Sequence, residues 1–527
     1  MIVSIKELII VTATATLVFW LAKNSALRFS SAADFSRRRN IWFALTTAAF
    51  LSPSFWVYVL VAAPLLYWGG RKDSNPIALY VLVFQIIPDI PVDIPTIAIK
   101  QLFELDNYRL LSFCVLIPMA WQIRRANGRT KVRSLTAMDY LLFALGILVL
   151  LNFVPPDLPG HVLLPDSPTN VLRRGFLFVV DTYVLYYAVS RSCTSREKIV
   201  EVMTYFCLAG AIMALVAVYE SAHHWLLYNE IIAKWGGREQ LTSGYSYMRA
   251  GFLRGQASAG HAIALGYFLA VAMGFWLYLR SHLTSRAVRF SGFLALAAGL
   301  LSTFSRGAWA GAIVIYFAYV LLAPGTFSRG FKGAALLAIL IGALSLTSIG
   351  QNIIDSLPFF GSHADDSTLL YRNRLAERSW EIIQQHPLLG DPLAREQMQD
   401  LRQGEGIIDL VNTYAETALF YGVIGVGVFT GFILLAMGKT YRLARTLTIN
   451  DPDAAILGAT LVACVAGVLL MLASSSFMLC IPITYYLLGG LATGYADMSK
   501  SRELGTLTDA RVSRNRSRSS SRFQPAK

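Results

Sequence analysis

AAILGATLVACVAGVLLMLASS, residues 454–475, runs for 22 residues without a charged side chain. A helix of about 20 apolar residues crosses a bilayer core of about 30 Å. In hydrocarbon every backbone N–H and C=O needs an internal partner, so only helices and closed barrels span it. The stretch is continuously apolar rather than alternating, which selects a helix over a barrel strand. Runs of the same kind recur near 7–23, 41–69, 76–90, 109–123, 136–154, 175–191, 200–219, 259–280, 287–304, 307–323, 332–350, 412–437 and 477–495. The expectation is an all-α, polytopic integral membrane protein with 12–14 transmembrane helices.

Composition agrees. Of 527 residues, 55% are hydrophobic and 15% charged, against about 25% charged in soluble domains. The net charge of +14 has a plainer source than nucleic acid, because Lys and Arg gather in cytoplasmic loops of membrane proteins. Cys114, Cys193, Cys207, Cys464 and Cys480 are scattered, with neither metal-ligand spacing nor a disulfide framework. The first apolar run lacks a small-residue cleavage site and reads as a retained helix.

Arginine-rich links set the orientation. Arg124–Arg133, Arg280–Arg289, Lys439–Arg445 and the tail after Met498 fit one alternating path. That path puts 155–174, 220–258 and 351–411 on the far side. Arg37, Arg38 and Arg39 fit only if 41–69 is not one helix. Ser52-Pro53-Ser54 interrupts that run, and proline breaks helix interiors, so two short re-entrant pieces with an inverted first helix are the alternative.

The expected organisation is N-terminal helices over 1–245, helices with an SRG motif over 246–350, a lid loop over 351–411, C-terminal helices over 412–497 and a disordered basic tail over 498–527. Within the lid, 367–386 has regular apolar positions among charges, and Pro387 ends it. The tail is Ser- and Arg-rich and poor in large apolar residues.

Ionisable residues bordering a membrane core are costly and are functional candidates. Arg306, in Ser305-Arg306-Gly307, lies between two apolar runs; its plain alternative is an arginine snorkelling to headgroups. Arg249 and Arg254 precede His261, which is a base or simply a helix-end histidine. Arg372 and Arg374 sit early on the lid helix, where a solvated face is the alternative. Asp409 precedes Asn412 and Tyr414 where the lid rejoins the bundle. It is a general base or a helix N-cap. Arginines around an apolar bundle suit a ligand with an anionic phosphate head and a long apolar tail.

Ser305-Arg306-Gly307, Arg372 with His386-Pro387-Leu388-Leu389-Gly390, and Val411-Asn412-Thr413-Tyr414 with Gly422 and Gly425 together resemble the O-antigen ligase and Wzy-type polysaccharide polymerase family, in order and topology, over roughly 245–440. Val411 stands where that family has histidine, so its usual base does not transfer. The run GEGIIDLVNTY, 404–414, is similar to an exopolysaccharide polymerase-like subgroup with the same replacement. Asp409 is the substitute candidate, with His261 and Glu416 behind it. The resemblance implies inverting, metal-independent glycosyl transfer without a cofactor, on the periplasmic face of a bacterial inner membrane. The donor would be a glycan on undecaprenyl pyrophosphate, its pyrophosphate held by Arg306, Arg254 and Arg372, with Arg249 and Arg374 nearby. Ser305, Gly307, Asn412 and Tyr414 would support the motif. Membrane lipids, a chain-length regulator and export proteins are the implied partners, and nucleic acid is not.

Three alternatives stay open. One is a ligase moving glycan to lipid A core. Another is a lipid-linked oligosaccharide flippase, although neither inverted repeats nor intramembrane charge pairs are evident. The third is a metal-dependent glycosyltransferase using Asp89 and Asp93 of Pro88-Asp-Ile-Pro-Val-Asp-Ile-Pro95, where alternating prolines also read as a turn.

Overall fold

The structure is a computed structural model describing residues 2–94, 102–127, 135–153, 168–236, 248–249, 251–328, 366–402 and 408–498. The chain opens with α1 (Ile2–Ala26), α2 (Ala32–Leu51), α3 (Phe55–Lys72) and the short α4 (Pro76–Val83). α5 joins Asn107–Leu111 and Ile117–Asn127 through a π-helical turn, Ser112–Leu116. After α6 (Ala137–Leu151), α7 likewise joins Pro168–Phe178 and Val184–Ser192 through Val179–Tyr183. Then come α8 (Arg196–His223), α9 (Asn229–Lys234), α10 (Ala262–His282), α11 (Arg286–Ser302), α12 (Arg306–Leu322), α13 (Asp366–Gln385), α14 (Thr413–Leu447), α15 (Pro452–Leu472) and α16 (Cys480–Ala496). Strands among the described residues are two antiparallel pairs, Val92–Asp93 with Glu104–Leu105 and Met248–Arg249 with Phe252–Leu253.

Among the described residues, five helices are long and apolar enough to cross a membrane: Ile5–Ala26, Arg196–His223, Ala262–His282, Thr413–Leu447 and Pro452–Leu472. Ala137–Leu151 and Arg306–Leu322 are shorter apolar helices. The chain is an all-α polytopic membrane protein, as expected. α8, α10 and α15 are largely enclosed by their neighbours, while much of α1 and α14 is exposed. The expected span at 332–350 and the basic tail lie outside the described residues.

The run 41–69 is not one helix. Ser52 ends α2 in extended geometry, φ −69° and ψ 132°, and the Ser54 side chain caps α3 by accepting from Val57 N–H. A residue before proline is pushed out of the α region, and a serine hydroxyl stabilises a new N-terminus. The two helices have 20 and 18 residues, and neither is among the described helices that are long and apolar enough to cross a membrane. The expected span 76–90 is α-helical only over Pro76–Val83, and turns follow towards Pro88.

The split places Arg38 beside Asp73 and Glu201. Its Nε donates to Asp73 Oδ2 at 2.9 Å and Nη1 to Glu201 Oε1 at 2.8 Å, with the Tyr205 ring 4.4 Å from the guanidinium carbon. Nearby helix ends carry Arg196–Asp453 at 2.9 Å, His282–Asp453 at 2.9 Å, Arg28 donating to the His282 carbonyl at 2.7 Å, and Arg191–Asp139 at 2.6 Å. These contacts gather the starts of α2, α8 and α15 and the ends of α7 and α10 at one end of the bundle, where Arg38, Arg191 and Arg196 are paired with acids. Arg37–Arg39 therefore share an end with Arg280 and Arg286, and the first helix is inverted relative to the single-span reading.

At the opposite end, the expected lid helix is α13. It stops at Gln385 just before Pro387. Leu375 and Ile382 on its inner face pack with Ala394, Met398, Leu401, Leu410 and Leu419 into a small separate core. Residues 351–365 and 403–407 of the expected lid lie outside the described set.

Candidate functional site

Three arginines meet at the turn before α12. Arg249 Nη1 donates to the Phe304 carbonyl at 2.9 Å, and Arg254 Nε donates to the Thr303 carbonyl at 3.0 Å. Arg306 follows as the first residue of the helix. Phe304 is held at φ 47°, a left-handed conformation that is uncommon for a bulky residue and costs on the order of 1–3 kcal/mol. That geometry turns successive carbonyls towards the two arginines. Ser305 is buried at the N-cap position without capping through its side chain.

Glu220, at the end of α8, sets the position of Arg254. It is 1% exposed and accepts from the backbone N–H groups of Leu227, Gln256 and Ala257 at 3.0, 2.9 and 2.7 Å. The Gly255 N–H also donates to the Ser302 carbonyl at 2.9 Å. The loop carrying Arg254 is thereby fixed from both sides.

Neither Arg254 nor Arg306 is paired with a carboxylate among the described residues, and Arg306 Nε is buried without a hydrogen-bond acceptor. Burial, with the neighbouring Arg249 charge, pulls the Arg254 guanidinium down to about 10. A cation held in a desolvated site without a counter-charge is expensive. The contrast with the acid-matched arginines at the other end is direct.

His261 lies beside this cluster and caps α10, its Nδ1 accepting from Ile263 N–H at 3.2 Å. Burial and the Arg254 charge pull the imidazole down to about 4, so it is neutral near pH 7. With Nδ1 accepting, the proton is assigned to Nε2. In this tautomer His261 caps α10 and offers Nε2–H as a donor.

The loop between α15 and α16 joins the arginines to the lid. A Cβ on Gly307 would collide with Ser474 Oγ, so glycine lets the loop sit this close with that hydroxyl in place. The Ser475 carbonyl accepts from Thr413 Oγ1 at 2.7 Å, and Ser476 Oγ donates to Asp409 Oδ1 at 2.6 Å. Ser474 and Ser476 are two residues apart, about 7 Å of chain at full stretch. This links Arg306 and Asp409 through one short segment that the sequence reading did not single out.

Asn412, not Asp409, caps α14; its Oδ1 accepts from Tyr414 and Ala415 N–H at 3.0 and 3.2 Å. The N-cap alternative for Asp409 is therefore corrected. Its carboxylate holds only the Ser476 hydroxyl among the described residues. The Tyr371 phenol comes close, and burial together with the Asp409 charge pushes it up. Glu416 is engaged with Arg395 of the lid at 2.8 Å, and Tyr414 donates to the Leu469 carbonyl at 2.6 Å. Arg372 and Arg374 lie on the exposed face of α13 without a hydrogen bond or ion pair among the described residues. The structure thus brings Arg249, Arg254, Arg306, His261, Ser305 and Gly307 around one turn, places Asp409, Asn412, Tyr414 and Glu416 at the adjoining lid base, and leaves Arg372 and Arg374 outside.

The residues missed by sequence reading are Glu220 and Ser474–Ser476. Glu220 had a signal, an acid closing a long apolar run. The serines had none beyond their place between two apolar runs.

No curated protein matches this chain. Residues 291–430 match the family model Wzy_C, described as O-Antigen ligase. The match covers the SRG turn, the lid and the start of α14, and stops short of Arg249, Arg254 and His261. The chain therefore carries a domain of the O-antigen ligase and Wzy-type family over residues 291–430.

Proposed function

We propose that this protein polymerises undecaprenyl-pyrophosphate-linked oligosaccharide repeats into exopolysaccharide or O-antigen, at the periplasmic face of a bacterial inner membrane. The observation carrying the reading is the pair of cations, Arg254 and Arg306, left without carboxylates among the described residues at the mouth of an apolar bundle. A diphosphate supplies the missing charge, and its polyprenyl chain lies in the lipid beside the helices.

In the reaction an acceptor sugar hydroxyl attacks the anomeric carbon opposite the diphosphate. The new C–O bond forms as the bond to the diphosphate oxygen breaks, inverting the centre. Asp409 takes the hydroxyl proton, positioned by Ser476, and the leaving diphosphate keeps the bonding pair. Preorganised guanidinium donors are worth most where the leaving group gains charge, in a site screened from water. The transfer requires no metal in this scheme.

The O-Antigen ligase description of the matching family model favours a second reading, transfer of finished glycan to lipid A core. A deletion strain separates the two. Single repeats accumulating on the carrier support polymerisation, and full-length polymer missing only from lipid A core supports ligation. Repeats trapped on the cytoplasmic face would instead reveal a flippase and sink both.

A further inference from the structure

We infer that the Pro387–Gly390 turn of the lid is a membrane-surface anchor, seated in the headgroup–acyl boundary of the leaflet at the lid end. The lid has its own small core, yet Leu388 and Leu389 are left out of it, 65% and 56% exposed. Two adjacent leucines so exposed would be a liability in water. They lie against α14, where Gly422 breaks the helix at φ 63°. Across that break Val423 N–H donates to the Pro387 carbonyl at 2.8 Å, and Ile424 N–H donates to the Leu388 carbonyl at 3.4 Å. Val423 and Ile424 are themselves 60% and 44% exposed, and they head a stripe of α14 that continues through the exposed Leu434 and Leu435. On a spanning helix such a stripe faces lipid. The leucines of the turn therefore extend the lipid-facing surface rather than form an isolated patch.

Depth follows from length. About 20 residues of helix cross the hydrocarbon, and α14 is longer, at 35 residues. Counting from its basic end at Arg442, with the Lys439 ammonium reaching back to Met138 at the same boundary, residues 423–442 fill the crossing. Val423 then stands at the far boundary, and the turn bonded to it stands at the same level. Tyr421 agrees, lying beside Asn152, the residue that ends α6. The first turns of α14, with Leu419 and Glu416, rise above the membrane into the lid core. The occupant of the Leu388–Leu389 surface is lipid, and this holds whichever glycan reaction the protein performs.

The test uses the full chain with Cys114→Ser and a single new thiol, Leu388→Cys, labelled with the fluorophore NBD. It is reconstituted in vesicles of phosphatidylethanolamine and phosphatidylglycerol, with or without phosphatidylcholine spin-labelled at acyl position 5 or 12. The expected result is blue-shifted emission, quenched more by the shallow spin label than by the deep one. An NBD probe at Asp400→Cys, on the exposed face of the lid, reports water. Water-like, unquenched emission at position 388 overturns the inference. So does a blue shift without lipid quenching, which would mean that protein covers the surface. Leu389→Cys, read the same way, guards against a local defect of the first variant.

Discussion

Val423 donates its backbone N–H to the carbonyl of Pro387 at 2.8 Å, across the point where Gly422 interrupts α14. The HPLLG segment, His386–Gly390, and the segment Tyr421–Gly425, YGVIG, thereby form one clasp. The helix break frees N–H groups that an intact helix would use, and the lid turn supplies their acceptors. On the other side Asp391 N–H donates to the Leu419 carbonyl at 2.7 Å. A Cβ on Gly422 would collide with the Leu388 carbonyl, and one on Gly390 with the Phe420 backbone.

Gly422→Ala should therefore open the clasp. Gly422 adopts φ 63° and ψ −168°, a region essentially reserved for glycine, with a cost on the order of 1–3 kcal/mol for other residues. The expected outcome is faster tryptic cleavage in α13 and loss of polymer, at unchanged membrane levels. Cleavage at the wild-type rate would show that the clasp does not hold the lid.

Arg306→Ala and Arg254→Ala should each reduce transfer by on the order of 100- to 1,000-fold, as removal of a preorganised charge donor does elsewhere. Lysine at either site should restore only part of the rate, because a point charge does not reproduce the guanidinium fork. Arg372→Ala, on the exposed face of α13, should have a much smaller effect. In vitro extension of lipid-linked repeats measures all three. Equal losses at Arg372 and Arg306 would mean that the lid helix reaches the site during turnover.

Asp409→Asn should slow transfer sharply while leaving α14 capped by Asn412. Ser476→Ala, which removes only the hydroxyl that orients Asp409, should cost about tenfold, the equivalent of one hydrogen bond to a charged group, roughly 1.5 kcal/mol. Single-turnover rates decide this. An unaffected Asp409→Asn enzyme would return Asp409 to a structural role.

His261 makes stability depend on pH in a defined direction. Its folded value, about 4, lies below the ordinary value of about 6.5. Between these values the unfolded chain binds more protons, so stability rises with pH across the window and is lost as pH falls through it. Thermal midpoints in detergent should drop from pH 6.5 towards 4.5, and His261→Asn, which keeps a cap acceptor, should flatten that drop. Equal slopes for both proteins would contradict the assignment.

Activity should survive exhaustive EDTA treatment, since the proposed scheme asks guanidinium groups to balance the diphosphate charge. Loss of activity restored by a divalent cation would favour the metal-dependent alternative.

Much of the membrane architecture was legible because uninterrupted apolar runs have few other readings. The interruption at Ser52-Pro53-Ser54 was visible, but its outcome depended on Arg38 finding Asp73 and Glu201, distant in sequence. Arg249, Arg254 and Arg306 were legible as charges bordering apolar runs. Their convergence depended on Glu220 and on the left-handed turn at Phe304, which local pattern does not encode. HPLLG and YGVIG were visible singly. That they bond to each other is a matter of backbone groups, which carry no side-chain signature. The capping alternative for Asp409 failed because Asn412 lies one residue before the helix and has the better geometry.

The carboxylate of Glu220 has a consequence for modularity. It reaches from the N-terminal half of the molecule to set the register of Arg254, outside the segment that matches the family model. A chimaera receiving only residues 291–430 would inherit the SRG turn and the lid, but neither Arg254 nor the Glu220 brace that aims it. Grafted into an unrelated helical scaffold, that segment would be a half-built socket, and the proposed site has to be transplanted together with α8 and the loop from Arg249 to His261.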